Sequence, residues 1–324
     1  MTRTGLKFVT FFDSRFLIQG TVAVASFLKQ NESASGVIYC TNTLTTKILK
    51  ERFRGLRVKI RNISEIPSIE EAREMMSLDR NPIEVLLALK PILILETLKD
   101  LPREEPLVYF DADLFFYESL NTMITELGGA NLLLTRHLFP SQLSSSVKYG
   151  IVNAGFILMR NKSETIAVVT DWAKKCKQWC FLRLEEGKYG DQLYLNDYLD
   201  LPGVKSISDP GVNNGVYYFQ EKRKIKSISN VVFIEDSKLI CFHFHGIRIT
   251  KDLIFSGFNR YKVPKRAFRV WTNIYRQYLK EIKVELQHYA ITIQLQAIQD
   301  EVFFHTPSSG CKIGQRLRMT VVTH

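Results

Sequence analysis

The stretch LVYFDADLFFY, residues 107–117, sets two carboxylates one residue apart inside an otherwise apolar run. Its first four residues read as a strand buried on both faces. An unpaired charge is costly to bury, so the strand must end where solvent, a metal or a cationic partner meets Asp111 and Asp113. The same form recurs along the chain. Residues 6–12 read as a buried strand, followed by a polar loop at 13–15 and an apolar helix to about residue 30. Short strands at 36–40 and 56–60 flank a helix near 44–53. Asn81 as N-cap and Pro82 at the first helical position then start a strongly apolar helix, which Pro91 is expected to kink or split. Further strands are expected at 130–134, within 150–160, at 231–234 and at 239–244, with helices at 164–178, 190–199 and 264–300.

Strands alternating with helices predict an α/β fold with a mostly parallel central sheet flanked by helices. Ligands of such sheets bind outside the carboxyl ends of the strands. Asp13 and the Asp111/Asp113 pair both fall at such ends, so they should converge on one crevice. The 324 residues suit one large domain with extensions. The expected division is a catalytic domain at 1–255, a basic amphipathic helical extension at 256–303 packed on it, and a tail at 304–324.

No apolar run is long enough to span a bilayer. Asp13, Arg15 and Gln19 break the N-terminal apolar stretch, which therefore reads as neither signal peptide nor anchor, and a cytoplasmic protein is expected. The five cysteines, Cys40, Cys176, Cys180, Cys241 and Cys311, are scattered; no second ligand pair follows Cys176 and Cys180 at zinc spacing. They read as buried free thiols. The net charge of +11 is uneven, because 12 Lys/Arg against 5 Asp/Glu follow residue 250. Eight basic residues and one acidic residue, Glu281, fall within 260–283, interleaved with Trp271, Tyr275 and Tyr278. Phe268, Trp271, Ile274, Tyr275, Tyr278 and Ile282 share one helical face, which should pack on the domain and leave the basic face solvated. The alternative is a helix lying on an anionic membrane surface. There is no recognisable nucleic-acid module.

Two aspartates at a strand end admit three chemistries. They can hold a divalent cation that neutralises a diphosphate, act as nucleophile and acid–base in phosphoryl transfer, or cap neighbouring amides. The second resembles the haloacid-dehalogenase phosphatases, but Phe115 stands where that family has Thr or Val. The first is supported by LICFHFHG, which brings His243 and His245 to the end of an apolar strand, on one face by alternation. Imidazole joins carboxylates readily around manganese-like ions.

Several stretches, in order over residues 6–246, resemble the family 8 glycosyltransferases and their bacterial relatives. LKFVTFFDSRFLIQGTVAVASFLKQ resembles the opening strand, loop and helix, and VYFDADLFF the metal-binding Asp-x-Asp strand. GIVNAGFILMRN resembles the Asn-Ala-Gly strand, YGDQLYLND the Asp-Gln helix, and LICFHFHG the late His-x-x-Gly. The resemblance implies the GT-A fold with a helical C-terminal extension. It implies a metal-dependent glycosyltransferase that uses a nucleotide sugar, UDP-linked above others, with Mn²⁺ or Mg²⁺ and retention of configuration. The acceptor would be a glycan or a lipid-linked sugar in polysaccharide biosynthesis, with peripheral membrane contact through the basic helices. By the same resemblance Asp13 meets the nucleotide base and Lys90 the diphosphate. Asp111, Asp113 and His243 hold the metal, with His245 as the alternative imidazole, and Asp111 also meets the ribose. Asn153, Asp191 and Gln192 surround the donor sugar and acceptor, and Gly246 packs against the phosphates. The family's Lys-Pro-Trp after that glycine is replaced here by GIRITKD, so Arg248 or Lys251 would contact phosphate. The alternatives are an Asp-nucleophile phosphatase and a catalytically inactive GT-A adaptor at the membrane.

Overall fold

The computed structural model describes residues 5–220, 224–249, 254–256 and 265–294. Among them, strands β1 (Lys7–Phe12), β2 (Ser35–Cys40), β3 (Val58–Asn62) and β4 (Pro106–Phe110) pair in parallel in the order β3-β2-β1-β4. The short strand β5 (Leu114–Phe116) leaves this sheet. The sheet continues through β7 (Val152–Arg160), β6 (Leu132–Arg136) and β8 (Val204–Ser206); β7 runs antiparallel to both β4 and β6, and β8 is parallel to β6. Strand order therefore turns back between β1 and β4, which opens a crevice at their carboxyl ends.

Helices cover both faces, which is why the central strands are apolar without alternation. In β1, Phe8 and Phe12 face one core with α1 (Leu17–Gln30) and α2 (Thr43–Arg52), while Val9 and Phe11 face a second core. That second core is built on α3 (Pro67–Ser77), α4 (Pro82–Lys99) and α6 (Ser163–Gln178). A shorter α5 (Asn121–Leu127) lies between β5 and β6. The sequence reading had no element at 67–77; α3 starts on Pro67 and buries Ile69, Ala72 and Met76 at helical spacing. The Asn81 cap is present as a full capping box with Glu84. Pro91 does not split the helix: α4 runs unbroken to Lys99. An interior proline costs about 3 kcal/mol, and burial of Leu89, Ile92, Leu93 and Ile94 around it offsets this. The helix expected at 190–199 is a short 3-10 turn, Leu193–Tyr198, so Asp191 and Gln192 stand before it rather than inside a helix.

A meander of β9 (Ile225–Ile228), β10 (Val231–Ile234) and β11 (Ser237–Lys238) leads into β12 (Cys241–His243), which pairs antiparallel with β5. A last hairpin joins β13 (Ile247–Ile249) and β14 (Ile254–Ser256). Helix α7 (Phe268–Gln294) packs on α1. Trp271, Ile274, Tyr275, Tyr278 and Ile282 are buried, with Tyr278 stacked on Phe244 at 3.8 Å. The aromatic face is thus core; the side chain of Phe268 lies outside the described residues. Glu285 pairs with Arg52, and Tyr289 shares a 2.8 Å hydrogen bond with Thr21, fastening α7 to α2 and α1. Cys40, Cys176, Cys180 and Cys241 are buried and free, and Cys311 and the 304–324 tail lie outside the described residues. No described helix is long and apolar enough to cross a membrane.

Candidate active site

β4 ends at Phe110, and the chain turns at once. The Asp111 amide donates to the Gly155 carbonyl at 2.9 Å, and the Leu114 amide donates back to the Asp111 carbonyl at 3.2 Å. This turn holds Asp111 and Asp113 at the crevice before β5 begins. The Phe244 amide donates to the Asp113 carbonyl, and the His243 amide to the Asn214 carbonyl, so the β5–β12 ladder, which pairs His243 with Leu114, brings His243 beside Asp113. His243 Nε2 lies 3.0 Å from Asp113 Oδ1. One ligand atom each from Asp111, Asp113 and His243 falls within 4.8 Å of the others.

That donor set fits a divalent ion. Adjacent ligands of an octahedral ion with bonds of about 2.1 Å lie about 3.0 Å apart, which is the Asp113–His243 separation. Charge leads to the same conclusion. Lys90 is buried in α4 with its Nζ 3.3 Å from Asp111 Oδ1 and 2.9 Å from Asp191 Oδ2. Asp111 and Asp191 thus share one ammonium while Asp113 faces the His243 imidazole, and buried charges are paired or coordinate metals. Burial opposes the charge on Lys90, but Asp111 and Asp191 override it and raise its pKa. Burial raises that of Asp191, with Lys90 countering in part. Burial and then Asp111 push the Tyr109 phenol well up, and its hydroxyl donates to Asp111. Burial disfavours charge on both members of the Asp113–His243 pair, yet each favours it in the other: His243 is raised and Asp113 lowered.

The Asn-Ala-Gly segment of β7 backs the imidazole. A Cβ on Gly155 would come within 2.5 Å of His243 Cε1 and 2.8 Å of its Nδ1, so only glycine admits the ring. Asn153, buried, accepts from the Gly155 amide at 2.8 Å through Oδ1. Its side chain braces this contact. Gln192 donates from Nε2 to the Tyr149 carbonyl at 2.9 Å, and Asn196 accepts from the amides of Ile151 and Val152. Both therefore fix the entry to β7. Gly246 sits at φ +79°, in the turn closed by the Ile247 amide on the Phe244 carbonyl. His245 stands with its ring 5.3 Å from that of His243, outside the ligand group; burial and then His243 lower its pKa to about 3. Arg248 belongs to β13 by its backbone, while its side chain and Lys251 lie outside the described residues.

Asp13 differs from the rest. It follows β1, caps the next turn through the Arg15 amide at 2.9 Å, and is engaged by the Arg15 guanidinium at 2.8 Å through Nε. Two contributors escaped the sequence reading. Gln19, buried in α1, donates to the Ile247 carbonyl at 3.2 Å and so ties the first helix to the turn after His243. Its signal was the single amide in LIQGTVAVASF. Tyr109 shares the alternation of Asp111 along the strand, which could have marked it as a partner.

No family model matches the chain. It is 29% identical over 239 residues to the uncharacterized Bacillus subtilis protein YfnF, covering 70% of this chain and 77% of that one. It is 26% identical over 204 residues to YfnD of the same organism, covering 62% of this chain and 65% of the relative, just under two thirds of its length. Among solved structures it resembles the galactosyltransferase LgtC, determined with donor and acceptor sugar analogs, at 16% identity and a TM-score of 0.55. That match covers 86% of this chain and 95% of LgtC. The mixed sheet and its helices are the GT-A glycosyltransferase fold.

Proposed function

We propose that the chain is a metal-dependent glycosyltransferase that moves a sugar from a nucleotide-diphosphate donor to a glycan or lipid-linked acceptor, with retention. The observation that carries this reading is the Asp111–Asp113–His243 group at the switch point of a GT-A sheet. A Mn²⁺ or Mg²⁺ ion held there would neutralise the departing nucleotide diphosphate. Lys90 pairs with both Asp111 and Asp191 and fixes their positions, so its contribution is made through them. Asp191 would face the transferring sugar, with Gln192 and Asn153 holding the β7 wall beside it. Asp13 would receive the nucleotide base, taking up a hydrogen bond now made to Arg15. Arg248 and the glycine turn at Gly246 would meet the phosphates. A UDP-linked sugar is the donor this reading favours, and a surface polysaccharide or glycolipid the product. Exposed Arg269 and Lys283 on α7 would give peripheral contact with an anionic membrane carrying the acceptor.

Incubation with a panel of UDP-, GDP- and CDP-sugars and Mn²⁺ tests the reading. It expects slow hydrolysis of one donor class, abolished by chelation and in Asp113→Ala. Phosphate release from a simple monoester without any nucleotide sugar would contradict it.

A further inference from the structure

Away from the crevice, a cavity of about 460 Å³ opens between α7 and the β9–β11 meander. It lies beyond the far end of the β5–β12 ladder from the metal ligands. Tyr117 and Leu239, on its wall, are each four residues from Asp113 and His243, about 13 Å along a strand. Tyr117 donates to the Ile274 carbonyl at 2.9 Å and so closes the wall against α7. Buried Val232 and Leu239 make the floor apolar.

The rim is different. The β9–β10 loop places Ser229 and Asn230 at φ +48° and +67°, as a two-residue hairpin turn requires. The Asn230 carbonyl accepts from Asn273 Nδ2 and from Gln277 Nε2, each at 3.4 Å. Asn273 is held in place by a further 3.0 Å bond from Nδ2 to Ser227 Oγ, whereas Gln277 makes only long bonds and is weakly engaged at the opening. Arg276 and Lys280 lie one turn apart on α7, exposed, and make no ion pair among the described residues. The one carboxylate on the wall, Glu118, is taken by Lys238 at 3.3 Å. The cavity is therefore concave, apolar below, amide-rich at the edge and positively charged on one side.

We propose that this cavity is a second carbohydrate site, separate from the crevice, for a glycan that carries carboxylate groups. A guanidinium grips a carboxylate with two parallel hydrogen bonds, and a nearby ammonium adds a point charge. Amides supply the donors and acceptors that sugar hydroxyls need. The apolar floor receives the faces of sugar rings, as in most small-ligand pockets. A membrane surface is met by a protruding face, whereas these cations edge a concavity.

Calorimetric titration with a short oligogalacturonate, without donor or metal, tests this independently of sugar transfer. The expected result is binding by wild type at least tenfold tighter than a neutral galacto-oligosaccharide. It should weaken tenfold or more in Arg276→Ala/Lys280→Ala and by a smaller factor in Gln277→Ala. Asp113→Ala should bind like wild type. The proposal falls if wild type does not bind, if the double variant binds unchanged, or if Asp113→Ala loses the ligand. It also falls if inorganic phosphate competes at equal concentration. Retention of wild type but not the double variant on phosphatidylglycerol vesicles, with no oligogalacturonate binding, would assign the cations to a membrane.

Discussion

Two adjacent strands of the sheet, β1 and β4, end in aspartates at the same crevice, and the two ends are unlike. Asp13 after β1 is satisfied within its own turn by Arg15, two residues on. Asp111 and Asp113 after β4 meet partners from far along the chain: Lys90, Asp191 through that lysine, and His243. The first is a local ion pair made within one turn of chain. The second sets Asp111 and Asp191 on one buried ammonium and Asp113 on a buried imidazole, each supplied by a distant element. The strand end alone thus does not make a metal site. What makes one is the convergence of distant elements that sets three carboxylates against one ammonium and one imidazole.

This contrast can be broken by substitution, and the largest effect is expected at Lys90. Lys90→Ala leaves Asp111 and Asp191 facing each other, and losing one member of a buried ion group costs about 3–5 kcal/mol. Urea unfolding should show it; a loss below about 1 kcal/mol would mean the group is solvated. Next comes the ion itself. At a hundred times its dissociation constant, Mn²⁺ should stabilise the fold by about 2.7 kcal/mol, seen as a rise in melting temperature that Asp113→Ala abolishes. Gly155→Ala should then displace the His243 ring. Support of this kind is worth about 10–100-fold in metal affinity, measurable by Mn²⁺ electron paramagnetic resonance with the fold intact. The smallest change is at the other strand end. Asp13→Asn should cost under about 1 kcal/mol of stability and leave Mn²⁺ affinity unaltered; a loss of metal binding there would erase the contrast between the two ends.

Much of this was legible in the sequence because it is local. Apolar runs marked β1 and β4, Asn81–Pro82 marked the start of α4, and the spacing of Trp271, Tyr275 and Tyr278 marked the buried face of α7. What stayed hidden depends on pairing across the fold. Lys90 and Asp191 are a hundred residues apart and meet only because α4 packs on α6, whose Trp172 donates to the Asp191 carbonyl. Gly155 reveals its reason only once His243 is laid beside it. Arg15 was visible in the loop, but nothing local told whether Asp13 would prefer it to an open crevice. Helix α3, polar over most of its surface, lacked the apolar density that made its neighbours plain.

The most direct test of the central claim is calorimetric titration with UDP, GDP and CDP, with and without Mn²⁺, on wild type and Asp113→Ala. A metal-dependent glycosyltransferase site predicts tight binding of one nucleotide only when Mn²⁺ is present, lost in the variant. A folded wild-type protein that binds none of the three, with or without the ion, would contradict it.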